Sequence, residues 1–223
     1  MAQKLKDQSF VLWLDADNRI TGVNQAWLEF ARDNEAAELT LATLKGKRLW
    51  DYICGAEART LYHDLLDRVR LSSRPITIPF RCDSPTLRRY MQLSILPQED
   101  GKLALMSWVE RLEQRPAVSL LDPCCRGSEP PLRICSWCKK IQLEDQRWEE
   151  IEQAVCELKL LEKNQLPELT HGACPECIAI LEKQEQEQEQ EQEQEQEQEQ
   201  EQEVKGGDFS GSWSQGARGR YKF

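Results

Sequence analysis

The chain has 223 residues, enough for one medium-sized domain and a small one. Its formal net charge of −10 comes from ten glutamates in a strict Gln-Glu alternation over residues 184–203, because the other 29 acidic residues equal the 29 Lys and Arg. The rest of the chain is therefore close to neutral. It lacks the basic character that binding to a phosphate backbone requires, which argues against nucleic acid as a partner.

Neither a signal peptide nor a membrane span is predicted. The N-terminal stretch MAQKLKDQSF has no apolar segment after its lysines, and no run of 18 apolar residues occurs. We therefore expect a cytoplasmic protein without membrane attachment, in which thiols stay reduced. Nine cysteines in such a chain indicate metal or redox chemistry rather than disulfides.

The first predicted elements are a β-hairpin and a helix. Residues 10–14 form an apolar run, residues 15–18 are a turn cluster, and residues 19–23 resume an extended pattern. Asn24 follows at the position of a helix N-cap, ahead of a periodic apolar run. The hairpin should therefore lead directly into a helix.

A second helix and three more strands follow. Residues 56–72 have apolar side chains at every third or fourth position, which predicts a helix with one buried face. Strands are predicted over residues 76–80, 90–96 and 103–109, separated by turns. Two strands, a helical middle and three strands predict an α+β fold, with an antiparallel sheet and helices on one face, over residues 1–112.

Residues 113–132 are predicted to be a linker, because they contain four prolines and no periodicity. A small second module is predicted over residues 133–183. Residues 184–223, a Gln-Glu run followed by a Gly/Ser/Arg tail, are expected to be disordered, because the run contains no apolar side chain to bury.

The second module is expected to contain an amphipathic helix. Its apolar stripe would consist of Trp148, Ile151, Val155, Leu158 and Leu161. Cys156 lies beside this stripe and is interpreted as a small core residue rather than a metal ligand.

Four cysteines of this module form two Cys-x-x-Cys pairs, Cys135 with Cys138 and Cys174 with Cys177. This spacing lets both thiolates of a pair turn toward one ion, and two pairs complete a tetrahedron that suits zinc. One pair alone would also fit a redox dithiol, but two pairs that bracket a small module favour a metal. We predict one structural zinc ion; an iron site or free thiols are the alternatives.

His171 is the ambiguous member of the group. It is an alternative ligand in place of a cysteine, but Gly172 indicates a turn from which His171 would cap the chain or donate a hydrogen bond to a ligand. A zinc ion with four protein ligands performs no hydrolysis, so the metal is expected to shape the module.

No catalytic residue is predicted, and we expect a protein that is not an enzyme. The chain has two histidines, and no nucleophile-elbow, phosphate-loop or His-Glu-x-x-His motif occurs. His63, on the predicted helix of residues 56–72, is interpreted as a surface histidine, with an axial haem ligand as the alternative.

A charge network within a hairpin is expected from Arg81, Asp83, Arg88 and Arg89, with a partner-binding surface as the alternative.

Residues 10–110 resemble a PAS domain. The resemblance is carried by the stretch from Leu14 to Trp27, in which an acidic turn joins two strands and Asn24 starts a helix, and by the three closing strands. Residues 10–183 are similar, more specifically, to small bacterial proteins that join such a domain to a Cys-x-x-Cys…His-Gly-x-Cys-Pro-x-Cys module, which here ends in His-Gly-Ala-Cys-Pro-Glu-Cys.

This resemblance implies a sensory or signalling adaptor that acts through ligand- or partner-dependent protein contacts. It implies a PAS-like sheet followed by a zinc-ribbon-like or treble-clef-like unit, and a cavity for an unidentified small molecule, to which no residue is assigned. The flavin signature Asn-Cys-Arg-Phe-Leu is absent.

Because PAS sheets often pair, a homodimer is expected, with Trp13 and Trp108 either as contacts or as core residues. The protein partner is unidentified. The alternatives are a zinc-dependent, nucleic-acid-binding transcriptional regulator and a thiol redox switch.

Overall fold

A computed structural model describes residue 5, residues 8–122, 130–162 and 165–183, and residues 186, 190 and 194. Most of the predicted Gln-Glu run, and all of the Gly/Ser/Arg tail, lie outside the described residues. The chain divides into two units between Ile178 and Ala179. Among the described helices, none combines the length and the apolar character needed to cross a membrane.

Five strands form the N-terminal sheet: β1 (Ser9–Leu14), β2 (Ile20–Val23), β3 (Ile76–Arg81), β4 (Leu87–Pro97) and β5 (Leu103–Gln114). Their spatial order is β2-β1-β5-β4-β3, and each neighbouring pair is antiparallel. The predicted antiparallel sheet is thus confirmed, with β4 and β5 longer than the sequence pattern indicated.

Three helices connect β2 to β3: α1 (Gln25–Asp33), α2 (Leu41–Leu44) and α3 (Ala56–Ser72). Asn24 is the N-cap of α1, as predicted, and its Oδ1 accepts a hydrogen bond from the Trp27 N–H at 2.9 Å. The same oxygen accepts from the Val11 N–H, and Nδ2 donates to the Ser9 carbonyl. The cap therefore also fixes the start of α1 against β1.

Helices cover one face of this sheet. Phe10, Leu12 and Leu14 of β1 are buried, and Phe10 packs with residues of α1, including Phe30. The intervening side chains of β1 point to the opposite face, where Trp13 is 38% exposed. The α+β class with helices on one face is therefore confirmed for the described residues.

A second sheet contains four short strands: β6 (Leu132–Cys135), β7 (Ile141–Gln142), β8 (Trp148–Glu149) and β9 (Leu169–Gly172). Their order is β8-β7-β6-β9, and β9 is parallel to β6 while the other pairs are antiparallel. Helix α4 (Ile151–Glu157) follows β8, and residues 175–183 are helical and are named α5.

The predicted helical stripe of this region is wrong at both ends. Trp148 lies in β8, paired with Gln142, and Leu161 is 78% exposed in a 3-10 turn after α4. Lys159 adopts a positive φ of 49°, which ends the helical path, so that Leu160 rather than Leu161 is buried.

Cys156 is exposed on α4, so its interpretation as a core residue is wrong. The buried positions of this short helix are Ile151 and Ala154.

The predicted linker, residues 113–132, contains ordered structure in its described part. Strand β5 continues to Gln114, and a 3-10 turn spans Ser119–Leu121. Val118 and Leu120 are buried in the same apolar cluster as Ile134, Ile141 and Ile151. This stretch therefore supplies part of the apolar core that packs against the second sheet. Cys124 and Cys125 lie outside the described residues.

Candidate metal centre

Two loops bring four cysteines together. The first cysteine loop (residues 135–138) follows β6, and the second cysteine loop (residues 174–177) follows β9 and begins α5. Because β6 and β9 are parallel and Cys135 is in register with Gly172, both loops leave the same edge of the sheet. The strand pairing thus places the two Cys-x-x-Cys pairs side by side.

The four sulfur atoms all lie within 4.8 Å of one another, and the Sγ atoms of Cys138 and Cys174 are 3.5 Å apart. In a tetrahedral zinc site with Zn–S bonds of about 2.3 Å, the sulfurs are about 3.8 Å apart. Four thiols at these separations therefore fit a single ion.

Cys135, Cys174 and Cys177 are buried, whereas Cys138 is half-buried. The backbone N–H of Cys174 donates to Cys135 Sγ at 3.4 Å, a contact that stabilises a thiolate. Hydrogen bonds among the four thiols lower the pKa of Cys135 and raise the pKa of Cys138 and Cys177. Four thiols this close, three of them buried, cannot all ionise unless a cation joins them, so the group suits a metal ion.

Both lysines that follow Cys138 have partners nearby. Lys139 Nζ donates to the Ser136 carbonyl at 2.6 Å, and burial lowers the pKa of Lys139. Lys140 Nζ donates to Glu176 at 2.6 Å, and this hydrogen bond raises the pKa of Lys140. The lysine–glutamate pair joins the two cysteine loops at the surface.

His171 lies outside the cysteine group. It is in β9, where it pairs with Ile134 of β6, and Gly172 continues the strand rather than forming the predicted turn. The parallel pairing with β6 extends to Cys135, which explains why the chain stays extended through Gly172.

The first cysteine loop packs against the N-terminal sheet and α3. Trp137 is only 3% exposed, and its indole stacks on the Tyr62 ring of α3 with centroids 5.6 Å apart. The Trp137 carbonyl accepts a hydrogen bond of 2.6 Å from the backbone N–H of Arg81, at the end of β3. We refer to the contacts between residues 8–122 and residues 130–178 as the seam.

Two further contacts of the seam involve the start of α3. A Cβ atom at Gly55, which has φ of 89°, would overlap the carbonyl of His171. Glu57 pairs with Arg133 of β6 and accepts a hydrogen bond from the Ala173 N–H. The start of α3 is therefore fixed to both β6 and β9.

The predicted charge network exists, but it crosses the seam. Arg81 Nη2 lies 2.5 Å from Asp83, whose side chain is fully buried, and Arg81 Nη1 lies 2.7 Å from Glu150. Arg88 makes a 2.8 Å contact with Glu152, so both glutamates at the start of α4 are bound to β3 or β4. Burial lowers the pKa of Arg81, but the hydrogen bonds to Asp83 and Glu150 outweigh it and raise that pKa, so Arg81 stays charged.

Arg89 differs from the other members of the network. Its Nη1 donates to the Cys82 carbonyl at 3.0 Å, and its Nη2 donates to Asn34 at the end of α1. Cys82 is half-buried against the cluster around Phe10, which agrees with a structural role. Arg89 thus holds α1 on the sheet, whereas Arg81 and Arg88 contact residues 130–178, which we call the cysteine region.

His63 is on the surface of α3. Its ring stacks on Trp50 with centroids 4.3 Å apart and an interplanar angle of 14°, and its Nδ1 lies 3.7 Å from Asp67. The side chain is about half exposed, as expected for a surface histidine.

No protein-family model matches the sequence, and no curated protein is significantly similar to it. Among solved structures, the chain is similar to a sensory box sensor histidine kinase from Vibrio cholerae, with 12% identity, a TM-score of 0.37, and coverage of 49% of this chain and 89% of the other. It is also similar to a domain of an HTR-like protein from Haloarcula marismortui ATCC 43049, with 15% identity, a TM-score of 0.35, and coverage of 46% and 98%. A third similar structure is the PAS domain of an HTR-like protein from Haloarcula marismortui, with 16% identity, a TM-score of 0.30, and coverage of 49% and 87%.

Proposed function

We propose that the chain is a non-catalytic sensory adaptor of the cytoplasm, built like the small bacterial PAS proteins that its sequence resembles. The N-terminal sheet with α1 to α3 is the sensor, and it acts through protein contacts rather than through a reaction. Cys135, Cys138, Cys174 and Cys177 hold one structural zinc ion, because a closed set of four thiolates leaves no position for a substrate.

One observation carries this proposal: the first cysteine loop, which we call the metal-binding loop in this proposal, is hydrogen-bonded directly to the sensor. Trp137 lies between Cys135 and Cys138 in the sequence; its carbonyl accepts a hydrogen bond from the Arg81 N–H of β3, and its indole stacks on Tyr62 of α3. A zinc ion that fixes this loop therefore also fixes the position of the cysteine region relative to the N-terminal sheet and to α3. A change in the sensor would reach the cysteine region through the same contacts.

We further propose that the sensor forms a homodimer through the face of its sheet that lies opposite the described helices. Val11 and Trp13 of β1 lie on this face, and their register partners on β5 are Met106 and Ala104. Trp108 lies on the same face opposite Ser9. Apolar side chains in a row on an uncovered sheet face suit pairing with an identical face.

A thiol redox switch is the second candidate function. Cys138 is the half-buried member of the cysteine group, and its sulfur lies 3.5 Å from that of Cys174. This pair is placed to form a disulfide once an oxidant such as peroxide has converted one thiol to a sulfenic acid and the other thiol has displaced water. Reversible loss of zinc with peroxide would support this function, and zinc retention would exclude it.

Binding of nucleic acid is less well supported. Arg147 of the cysteine region contacts Asp145, Glu149 and Glu157, and Lys140 contacts Glu176. Cations that are paired with carboxylates are poorly placed to neutralise phosphates.

Hydrogen exchange on the zinc-loaded and chelator-treated full chain tests the proposed coupling. Removal of zinc should lower the protection of the Arg81 amide, which donates to Trp137, while the Leu12 amide between β1 and β5 stays protected. If the Arg81 amide stays equally protected after verified zinc loss, the metal does not hold the seam.

Light scattering tests the dimer in a separate experiment. The wild-type chain should have the mass of a dimer, and Trp13→Glu should have that of a monomer, because a charge on the paired face is costly to bury. A monomeric wild-type chain would exclude the proposed pairing.

A further inference from the structure

A cavity of about 190 Å³ lies in the seam, separate from the cysteine group. Residues from both sides of the seam line this cavity, and the metal-binding loop contributes Ser136 and Trp137. The lining residues are Tyr52, Ile53, Cys54, Ala58, Tyr62, Phe80, Ser136, Trp137 and His171.

The size of this cavity suits a small ring. A cavity of about 150 Å³ lined by apolar side chains holds one benzene molecule. At about 190 Å³, the seam cavity accommodates one six-membered ring and a small substituent, but it is too small for a nucleotide, a flavin or a haem.

The lining chemistry favours an uncharged ligand. Tyr62, Phe80 and Trp137 offer aromatic surface, and no Asp, Glu, Lys or Arg is among the lining residues. Glu57 and Arg133 lie beside Gly172, which follows the lining residue His171 in the chain, and they pair with each other. A charged ligand would therefore lose its hydration without gaining an Asp, Glu, Lys or Arg partner among the described lining residues.

The same wall offers polar groups to a ligand. Tyr62 and Ser136 have hydroxyl groups that donate or accept hydrogen bonds. Burial raises the pKa of Tyr62 to about 12, so its hydroxyl stays protonated near neutral pH. A ligand with one hydroxyl or N–H group matches this wall better than a pure hydrocarbon.

We propose that the seam cavity is a binding site for a small uncharged molecule that has one aromatic ring and one hydrogen-bonding group. Such a ligand contacts the sensor helix through Ala58 and Tyr62, and the metal-binding loop through Trp137. It therefore binds only where both regions are in place, and its binding stabilises their contact. This inference rests on the proposed function and gives the sensor a ligand class.

Calorimetric titration of the zinc-loaded full chain with phenol tests the site, and benzoate is the charged comparison. Ala58→Leu fills the cavity from α3, where Ala58 is buried. Cys54→Trp obstructs the cavity from an exposed position, so this variant keeps the test valid if Ala58→Leu fails to fold. Cys156→Trp places the same residue at an exposed cysteine outside the cavity and is the matched control.

We expect saturable phenol binding to the wild-type chain and to Cys156→Trp. Binding should weaken by about tenfold or more in Cys54→Trp and Ala58→Leu, and benzoate should bind about tenfold more weakly than phenol. Absence of phenol binding to the zinc-loaded wild-type chain, or equal binding by Cys54→Trp, would overturn the site.

Zinc analysis of the same samples separates this inference from the proposed function. A zinc-loaded chain that does not bind phenol contradicts the cavity site and leaves the metal site standing. A chain purified without metal that binds phenol contradicts the metal site and leaves the cavity site standing.

Discussion

The indole of Trp137 stacks on the ring of Tyr62, with centroids 5.6 Å apart, and this contact joins the first cysteine loop to the longest helix of the N-terminal region. Trp137 stands between Cys135 and Cys138 in the sequence, so its position depends on the geometry of the four-cysteine group. Trp137 is also buried in the seam and lines the cavity. The first cysteine loop, the seam and the cavity wall therefore share one side chain, that of Trp137.

Truncation of Trp137 should destabilise the whole seam. We expect Trp137→Ala to lower the free energy of unfolding by about 3–5 kcal/mol, as for other buried aromatic side chains. Trp13→Ala, at an exposed tryptophan, should cost less than about 1 kcal/mol at a protein concentration low enough to keep the chain monomeric. Urea unfolding measures both, and equal effects of the two variants would contradict a buried role for Trp137.

Gly55 should be essential for close approach of α3 to β9. Gly55→Ala has two costs, a positive φ of 89° and overlap of the new Cβ with the His171 carbonyl. Gly46→Ala is the matched control, because Gly46 has φ of 81° but no neighbouring atom within 4 Å of the place that a Cβ would take. We expect about 1–2 kcal/mol of destabilisation for Gly46→Ala and clearly more for Gly55→Ala. Equal loss in thermal or urea unfolding would show that the approach to His171 has no energetic importance.

Asp83 should be the most sensitive member of the charge network. Its buried carboxylate lies 2.5 Å from Arg81 and 3.3 Å from Arg115, so Asp83→Ala leaves two buried cations with one partner fewer. We expect a loss of about 3–5 kcal/mol in the free energy of unfolding. Asp100→Ala removes an exposed pair with Lys102 and should cost less than about 1 kcal/mol. A similar small effect at both positions would show that the buried carboxylate of Asp83 does not stabilise the network.

The stability of the chain should fall at alkaline pH because of Tyr62. Burial raises the pKa of its hydroxyl from 10.0 to about 12, so the folded chain keeps a proton that the unfolded chain releases. The stabilisation is present below pH 10 and is lost as the pH rises toward 12, by roughly 3 kcal/mol. Urea unfolding across this pH range should show a steeper decline for the wild type than for Tyr62→Phe. Parallel declines would exclude burial of the hydroxyl.

Local patterns in the sequence predicted most of the N-terminal fold. Asn24 was identifiable as a cap because it stands between an extended run and a periodic one, and α3 has the predicted limits, residues 56–72. The cysteine group followed from its spacing, since two-residue gaps place paired thiols together. Each of these features depends on residues that are near one another in the chain or on a known ligand spacing.

The seam was not predictable in the same way. Arg81 and Glu150 are 69 positions apart, and nothing in the local pattern of either residue indicates the other. Trp137 did carry a signal, because a large aromatic residue within a Cys-x-x-Cys pair needs a surface to cover it. The stripe that included Trp148 and Leu161 was wrong because the strand pairing of β8 and the turn at Lys159 override helical periodicity.

Native mass spectrometry of the purified full chain tests the metal site most directly. The wild type and Cys156→Ser, which alters an exposed cysteine outside the group, should each carry one zinc ion per chain, and Cys174→Ser should carry none. A wild-type chain without bound metal, or a Cys174→Ser chain that retains zinc, would contradict the four-cysteine site on which the proposed adaptor depends.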